Sequence, residues 1–149
     1  GTKLGVSNEL IKKGLEEYIP QNNRSQLTVT EHNKIIADAY NANPTSMNAA
    51  IHNFTQMDVP AKTVILGDML ELGKQSGEEH QKIVDLLKDK GFSSVYLVGK
   101  SFQATKNNFN CYATVNDLIQ EIQKNPLKNN FILVKGSHGI HLEKILEYI

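Results

Sequence analysis

Residues 63–67, Thr-Val-Ile-Leu-Gly, form an unbroken apolar run that ends at a glycine, and this pattern decides the fold. Residues 94–99 (Ser-Val-Tyr-Leu-Val-Gly) and 131–134 (Phe-Ile-Leu-Val) follow the same pattern. A strand that is apolar on both faces must be covered on both faces, which is typical of a parallel sheet between two layers of helices. The three runs therefore predict the central strands of an α/β domain.

The segments between these runs complete the architecture. Two short alternating segments, 27–30 and 34–38, joined by residues 31–33, predict an antiparallel hairpin, and residues 110–112 predict a weak further strand. Together these patterns predict a three-layer, doubly wound α/β domain from about Leu27 onward, with a mostly parallel, Rossmann-like sheet and the hairpin at its start. Apolar residues at helical spacing predict helices over 44–57, 78–90, 101–106, 115–123 and 139–149, the fourth capped by Thr114.

Composition narrows the possible functions. Lysine plus arginine number 16, and so do aspartate plus glutamate, so the formal net charge is zero. A general nucleic-acid or anionic-membrane binder needs a basic excess, so neither partner is expected. No apolar run approaches the roughly 20 residues that cross a bilayer. The single cysteine, Cys111, excludes an intrachain disulfide and any multi-cysteine zinc site. We expect a soluble cytoplasmic domain, and the absence of an initial methionine suggests a piece of a longer chain.

The loop after the second hairpin strand, residues 38–47, is rich in polar side chains. Ligands of doubly wound sheets bind beyond the carboxyl ends of the strands, where this loop is expected. One interpretation is a well-made strand-to-helix turn, since asparagine caps helices and Pro44 suits a first turn. The other is a ligand site in which Asp38 accepts a hydrogen bond from a ribose or amine while Tyr40 and Asn41 orient the ligand. The pattern leaves both open.

Two further loops follow central strands at the same predicted edge. In residues 66–73, Gly67 allows a sharp turn and Asp68 and Glu71 reach the crevice or its rim; a solvated loop is the alternative. In residues 134–139, Lys135 directly follows a buried strand and suits a carboxylate or phosphate. The alternative for Lys135 is a side chain that extends to solvent along its apolar stem.

Three other features carry no site. A Walker A loop requires a further glycine five residues before Gly99, and Ser94 stands there instead. His138 and His141 lie three residues apart, but a zinc site needs three or four ligands. Cys111 has no basic neighbour in sequence, so we expect a buried thiol.

Residues 38–47, 64–73 and 133–137, in this order and with His80 after the second, resemble the C-terminal domain of the Mur ligases. The sequence of residues 40–44 is similar to that of the family members that add D-alanyl-D-alanine. The resemblance implies an ATP-dependent amide ligase of bacterial peptidoglycan synthesis. Such an enzyme phosphorylates the carboxylate of a UDP-N-acetylmuramoyl-tripeptide, and the amine of D-Ala-D-Ala attacks the acyl phosphate. ATP and Mg²⁺ would be held mainly by a central domain, and residues 1–26 would be the tail of that domain, preceding a C-terminal domain of residues 27–149.

The resemblance also implies roles for individual residues. It places no catalytic residue and no metal ligand in this chain, so the chain alone is expected to be inactive. His138 departs from the arginine often found at its position. The implied nucleotide contacts are Arg24, Asp38, Tyr40 and Asn41, and the implied substrate contacts are Asn43, Ser46, Asp68, Lys135, Ser137 and His138.

Two alternatives remain beside this interpretation. One is the equivalent domain of another Mur or folylpolyglutamate-type ligase, which would join a different amino acid. The other is a free-standing α/β binding module of receiver-like topology, in which Asp68 would be the phosphoacceptor. The residues 38–47 lack the paired acids that such a module needs.

Overall fold

The computed structural model describes residues 26–38, 42–70 and 72–149. In this part of the chain the strands are β1 Gln26–Val29, β2 Lys34–Asp38, β3 Lys62–Gly67, β4 Val95–Val98, β5 Asn110–Tyr112 and β6 Phe131–Lys135. The α-helices within these described ranges are α1 Pro44–Gln56, α2 Ser76–Asp89, α3 Lys100–Gln103 and α4 Val115–Lys124. Segments of 3₁₀ helix span Gly73–Gln75, His138–Ile140 and Leu142–Tyr148.

The strands form one mixed sheet in the order β1-β2-β6-β3-β4-β5. Strands β1 and β2 pair antiparallel, and every other neighbouring pair is parallel. The hairpin turn is closed by a hydrogen bond from the Thr30 N–H to the Asn33 carbonyl at 2.8 Å. The predicted doubly wound sheet with an initial antiparallel hairpin is therefore confirmed.

The central strands bury both of their faces, as their apolar runs require. In β6, Phe131 and Leu133 lie in one apolar cluster, whereas Ile132 and Val134 lie in the other. This alternation follows from the two-residue period of a strand. The first cluster includes Met47, Ile51 and Phe54 of α1 and Ile83, Val84 and Leu87 of α2. The second includes Val115, Leu118 and Ile122 of α4 with Leu142, Ile145 and Ile149 from the C-terminal segment.

Helix α4 begins as its sequence predicts. The Thr114 hydroxyl accepts a hydrogen bond from the Asp117 N–H, and the Asp117 carboxylate accepts one from the Thr114 N–H, both at 3.3 Å. This reciprocal capping satisfies two amide donors that the first turn would otherwise leave without partners. The short helix predicted over 101–106 is instead confined to α3.

The predicted C-terminal α-helix over 139–149 is wrong in detail. His141 adopts a left-handed conformation (φ 62°), which interrupts the helical path. Beyond it, residues 142–148 form a 3₁₀ helix in which Leu142 and Ile145 are both fully buried. A spacing of three residues stacks side chains on one face of a 3₁₀ helix, so this geometry seats both residues against α4. None of the helices among the described residues has the length and apolar character to cross a bilayer.

Candidate ligand-binding edge of the sheet

The carboxyl ends of β2, β6 and β3 lie side by side. The backbone register pairs Asp38 with Lys135, and Lys135 with Leu66 on its other side. The loops that follow these strands therefore leave the same edge of the sheet, as expected for a ligand site in this fold. Gln26 pairs with Ala37, so the first described strand also starts at this edge. The strand ends that precede the three loops therefore lie together, as predicted, and the convergence of the loops on a shared ligand site stays a prediction.

Asp68 lies in the loop after β3, but its carboxylate faces the protein interior. One carboxylate oxygen accepts the Ser101 N–H at 2.9 Å, and the other accepts the Phe102 N–H at 3.0 Å. The residue is only 5% exposed. Gly99 allows this close packing, since a Cβ there would collide with the Asp68 carboxylate. Asp68 therefore satisfies the amide donors of α3, and a phosphoacceptor role gains no support from this geometry.

His80 of α2 is fully buried and holds the same loop from the other side. Its Nδ1 lies 2.6 Å from the Ser76 carbonyl, and its Nε2 lies 2.9 Å from the Met69 N–H. A carbonyl only accepts and an amide only donates, so Nδ1 carries the proton and Nε2 does not. The ring is therefore neutral. Although Nε2 lies 3.8 Å from the Asp68 carboxylate, the hydrogen bonds exclude an ion pair between them.

Ser137 connects the loop after β3 to the turn after β6. Its Oγ accepts the Leu70 N–H at 2.9 Å, and its own N–H donates to the Asp68 carbonyl at 3.2 Å. The two backbones touch here, because a Cβ on Gly136 would lie 2.9 Å from the Gly67 Cα. The loops therefore form one tightly packed unit at the edge of the sheet.

Lys135 is 3% exposed at the end of β6. The alternative in which this side chain extends to solvent is wrong, since the residue is almost wholly buried. A buried lysine places a positive charge where water screens it weakly.

Asn43 and Ser46 serve the start of α1. The Asn43 Oδ1 accepts the Ser46 N–H at 2.8 Å, and the Ser46 Oγ accepts the Asn43 N–H at 3.0 Å. This is a complete capping box. The structural interpretation of this part of the loop is therefore confirmed, and any ligand contact from these residues would add to their capping role.

The remaining candidates are scattered or lie outside the described residues. Arg24, Tyr40, Asn41 and Glu71 belong to the latter group, and only the backbone of Asp38 is described. His138 is exposed, with its ring 5.6 Å from that of His141. Among residues 26–38, 42–70 and 72–149, no three histidine, cysteine, aspartate or glutamate side chains converge as metal ligands.

Cys111 is half-buried, and its thiol donates to the Asn107 side-chain oxygen at 3.4 Å. Burial raises the pKa of the Cys111 thiol, partly offset by the hydrogen bond to Asn107. A raised pKa lowers the thiolate fraction at neutral pH. The predicted burial of this thiol is only partial.

Sequence reasoning noted His80 only through the resemblance and missed its contact with Met69. A signal was present: His80, Ile83, Val84 and Leu87 are spaced as one face of a helix, and all four are buried. The amide partners of Asp68 had no such signal, because they lie on a different helix.

Comparisons with known proteins fix the family. The family model for the Mur ligase, glutamate ligase domain matches residues 23–138. A UDP-N-acetylmuramoyl-tripeptide–D-alanyl-D-alanine ligase of Rickettsia prowazekii is 34% identical over 151 residues, covering 97% of this chain and 34% of the relative. The corresponding ligase of Bacillus subtilis is also 34% identical, covering 99% of this chain and 35% of the relative. The chain thus spans about a third of the length of these curated relatives.

Solved structures agree with this assignment. A crystal structure of MurF from Acinetobacter baumannii superimposes with a TM-score of 0.70 at 31% identity, covering 97% of this chain and 33% of that one. MurF from Thermotoga maritima, solved with ADP, gives the same TM-score at 21% identity over 87% of this chain and 30% of that one, which supports the fold alone. The chain belongs to the Mur ligase family and corresponds to its C-terminal domain.

Proposed function

We propose that this chain is the C-terminal domain of an ATP-dependent ligase that adds D-Ala-D-Ala to a UDP-N-acetylmuramoyl-tripeptide in peptidoglycan synthesis. The observation that carries the proposal is the 34% identity to two such ligases over nearly the whole chain. Residues 27–149 would form the C-terminal domain, and residues 1–26 the tail of a central ATPase domain. Its partners would be the two substrates and the N-terminal and central domains of the same enzyme.

The chemistry of the edge is compatible with an amine-bearing dipeptide that ends in a carboxylate. The buried ammonium group of Lys135 would attract that carboxylate. The Ser137 hydroxyl accepts from Leu70, which leaves its hydrogen to donate to the ligand. His138, Asn43 and Ser46 would lie around the rim. In this proposal the chain binds and orients the amine, which then attacks a carboxylate activated as an acyl phosphate on another domain.

Mg²⁺ does not fit the described residues. They contain no metal-ligand cluster, and the Asp68 oxygens are bonded to α3. In the proposal the central domain would hold Mg²⁺ and most of the ATP contacts. Arg24, Asp38, Tyr40 and Asn41 remain proposed nucleotide contacts. ATP and the UDP-linked acceptor are cytoplasmic metabolites, so the proposal places the enzyme in the cytoplasm.

The test compares the enzyme expressed from the complete gene with the 149-residue chain alone. We expect the complete enzyme to release ADP only when tripeptide acceptor and D-Ala-D-Ala are both present. The chain alone should release none, because no phosphate-binding loop is present in it. A preference for a single amino acid over the dipeptide D-Ala-D-Ala would instead indicate another Mur or folylpolyglutamate-type ligase. ADP release by the chain alone would contradict the proposed division between domains.

A further inference from the structure

His80 is buried behind the proposed ligand edge, where it cannot reach a ligand. Both ring nitrogens are committed to backbone groups, Nδ1 to the Ser76 carbonyl and Nε2 to the Met69 N–H. The ring also packs edge-on against Phe102, with the centroids 4.6 Å apart. The side chain is therefore fixed in orientation and tautomer, which makes it a rigid support for the loop that contains Met69.

The support reaches the ligand edge in two further contacts. The Leu70 N–H, next along the chain from Met69, donates to the Ser137 Oγ at 2.9 Å. The Ser137 N–H donates to the Asp68 carbonyl at 3.2 Å, so the turn after β6 is held at two points. Lys135 lies two residues before Ser137. A shift of the Met69 amide would therefore displace the turn that presents both proposed substrate contacts.

We propose that His80 is a positioning residue: as a neutral Nδ1–H imidazole it fixes the Asp68–Leu70 loop and thereby sets Ser137 and Lys135 for the incoming amine substrate. The substrate assignment rests on the proposed function. The positioning role itself rests on the hydrogen bonds from Met69 to His80 and from Leu70 to Ser137.

Two substitutions of His80 separate its two hydrogen bonds. In His80→Gln the side-chain oxygen reaches the position of Nε2 and can still accept from Met69. In His80→Asn the amide nitrogen reaches the position of Nδ1 and can still donate to Ser76, but the Met69 N–H loses its acceptor. Both variants lose the imidazole, so His80→Gln controls for the loss of the ring.

The variants are assayed in the complete ligase. We expect His80→Asn to raise KM for D-Ala-D-Ala about tenfold, equivalent to about 1.4 kcal/mol, with KM for ATP within about twofold of wild type. His80→Gln should restore KM for the dipeptide to within about threefold. Ser137→Ala should raise the same KM, and adding His80→Asn to it should raise it little further, because both act through one chain of contacts. The proposal would be overturned if both His80 variants raised KM for the dipeptide equally, or if His80→Asn left this KM unchanged. It would also be overturned if the effects of His80→Asn and Ser137→Ala on this KM multiplied in the double variant.

A second measurement keeps the proposal separate from the substrate assignment. If the complete enzyme prefers another amine, the proposed function fails, and the same comparison is made with that amine. If it ligates none, amide hydrogen exchange on the 149-residue chain decides. His80→Asn should speed exchange at Met69 and Leu70 relative to the Leu133 amide of β6, whereas His80→Gln should not. Unchanged exchange at both amides would refute the positioning role. In wild type, nitrogen NMR of the imidazole should show Nε2 unprotonated.

Discussion

The replacement of Asp68 by asparagine tests whether this carboxylate belongs to the framework of the domain. In the structure its two oxygens accept the Ser101 and Phe102 N–H groups at 2.9 and 3.0 Å, and the residue is 5% exposed. Asparagine keeps one acceptor oxygen. Its NH₂ group would face the other amide donor, so that one buried N–H loses its partner.

The expected cost follows from these two contacts. A hydrogen bond to a charged group contributes about 1.5–3 kcal/mol, and an unsatisfied buried donor costs about 1–3 kcal/mol. We therefore expect Asp68→Asn to lower the free energy of unfolding by about 2–3 kcal/mol. For a domain of this size about 1 kcal/mol corresponds to about 2–4 °C in Tm. The Tm should fall by about 4–12 °C.

The chain contains no tryptophan, so urea unfolding is best followed by far-ultraviolet circular dichroism. The matched control is Asp89→Asn, since Asp89 is an exposed aspartate at the end of α2. That variant should stay within about 0.5 kcal/mol of wild type. If Asp68→Asn behaved like the control, the carboxylate would not be supporting α3.

Two further predictions concern stability elsewhere in the domain. The pKa of Tyr96 and the pKa of Tyr112 are both raised, mainly by burial and to a smaller extent by nearby negative charge. The neutral phenols therefore stabilise the folded state below pH about 10, and this contribution is lost as pH rises further. Urea titrations between pH 9 and 11 should show a smaller loss of stability in the Tyr96→Phe/Tyr112→Phe variant; an equal loss would contradict the assigned cause. Gly136→Ala should destabilise the domain by at least about 1 kcal/mol, because its Cβ would lie 2.9 Å from the Gly67 backbone. Gly77→Ala, whose Cβ would enter open space in α2, should stabilise the domain by about 0.5–1 kcal/mol. Thermal melts of both glycine variants check this pair, and a shift of the same sign in both would refute it.

The elements of the fold were predictable because their causes are local. The apolar runs at 63–67, 94–98 and 131–134 place β3, β4 and β6 within a residue of their observed ends. The hairpin bounds and the Thr114 cap were predicted equally well, since turns and caps depend on residues a few positions apart. The C-terminal segment was mispredicted because a single left-handed residue, His141, redirects the chain and nothing in its neighbours requires that conformation.

The sequence by itself therefore determined the strands, most of the helices and the edge at which the strands end. Only the tertiary structure decided what the polar side chains in those loops contact. Asp68 bonds to amides 33 and 34 residues away, and Ser137 accepts from an amide 67 residues away. The pairing of β3 with β4 brings Asp68 to its partners, and the pairing of β3 with β6 brings Leu70 to Ser137. Periodicity and capping act over a few residues, whereas these hydrogen bonds exist only once distant strands have paired and brought their loops into contact.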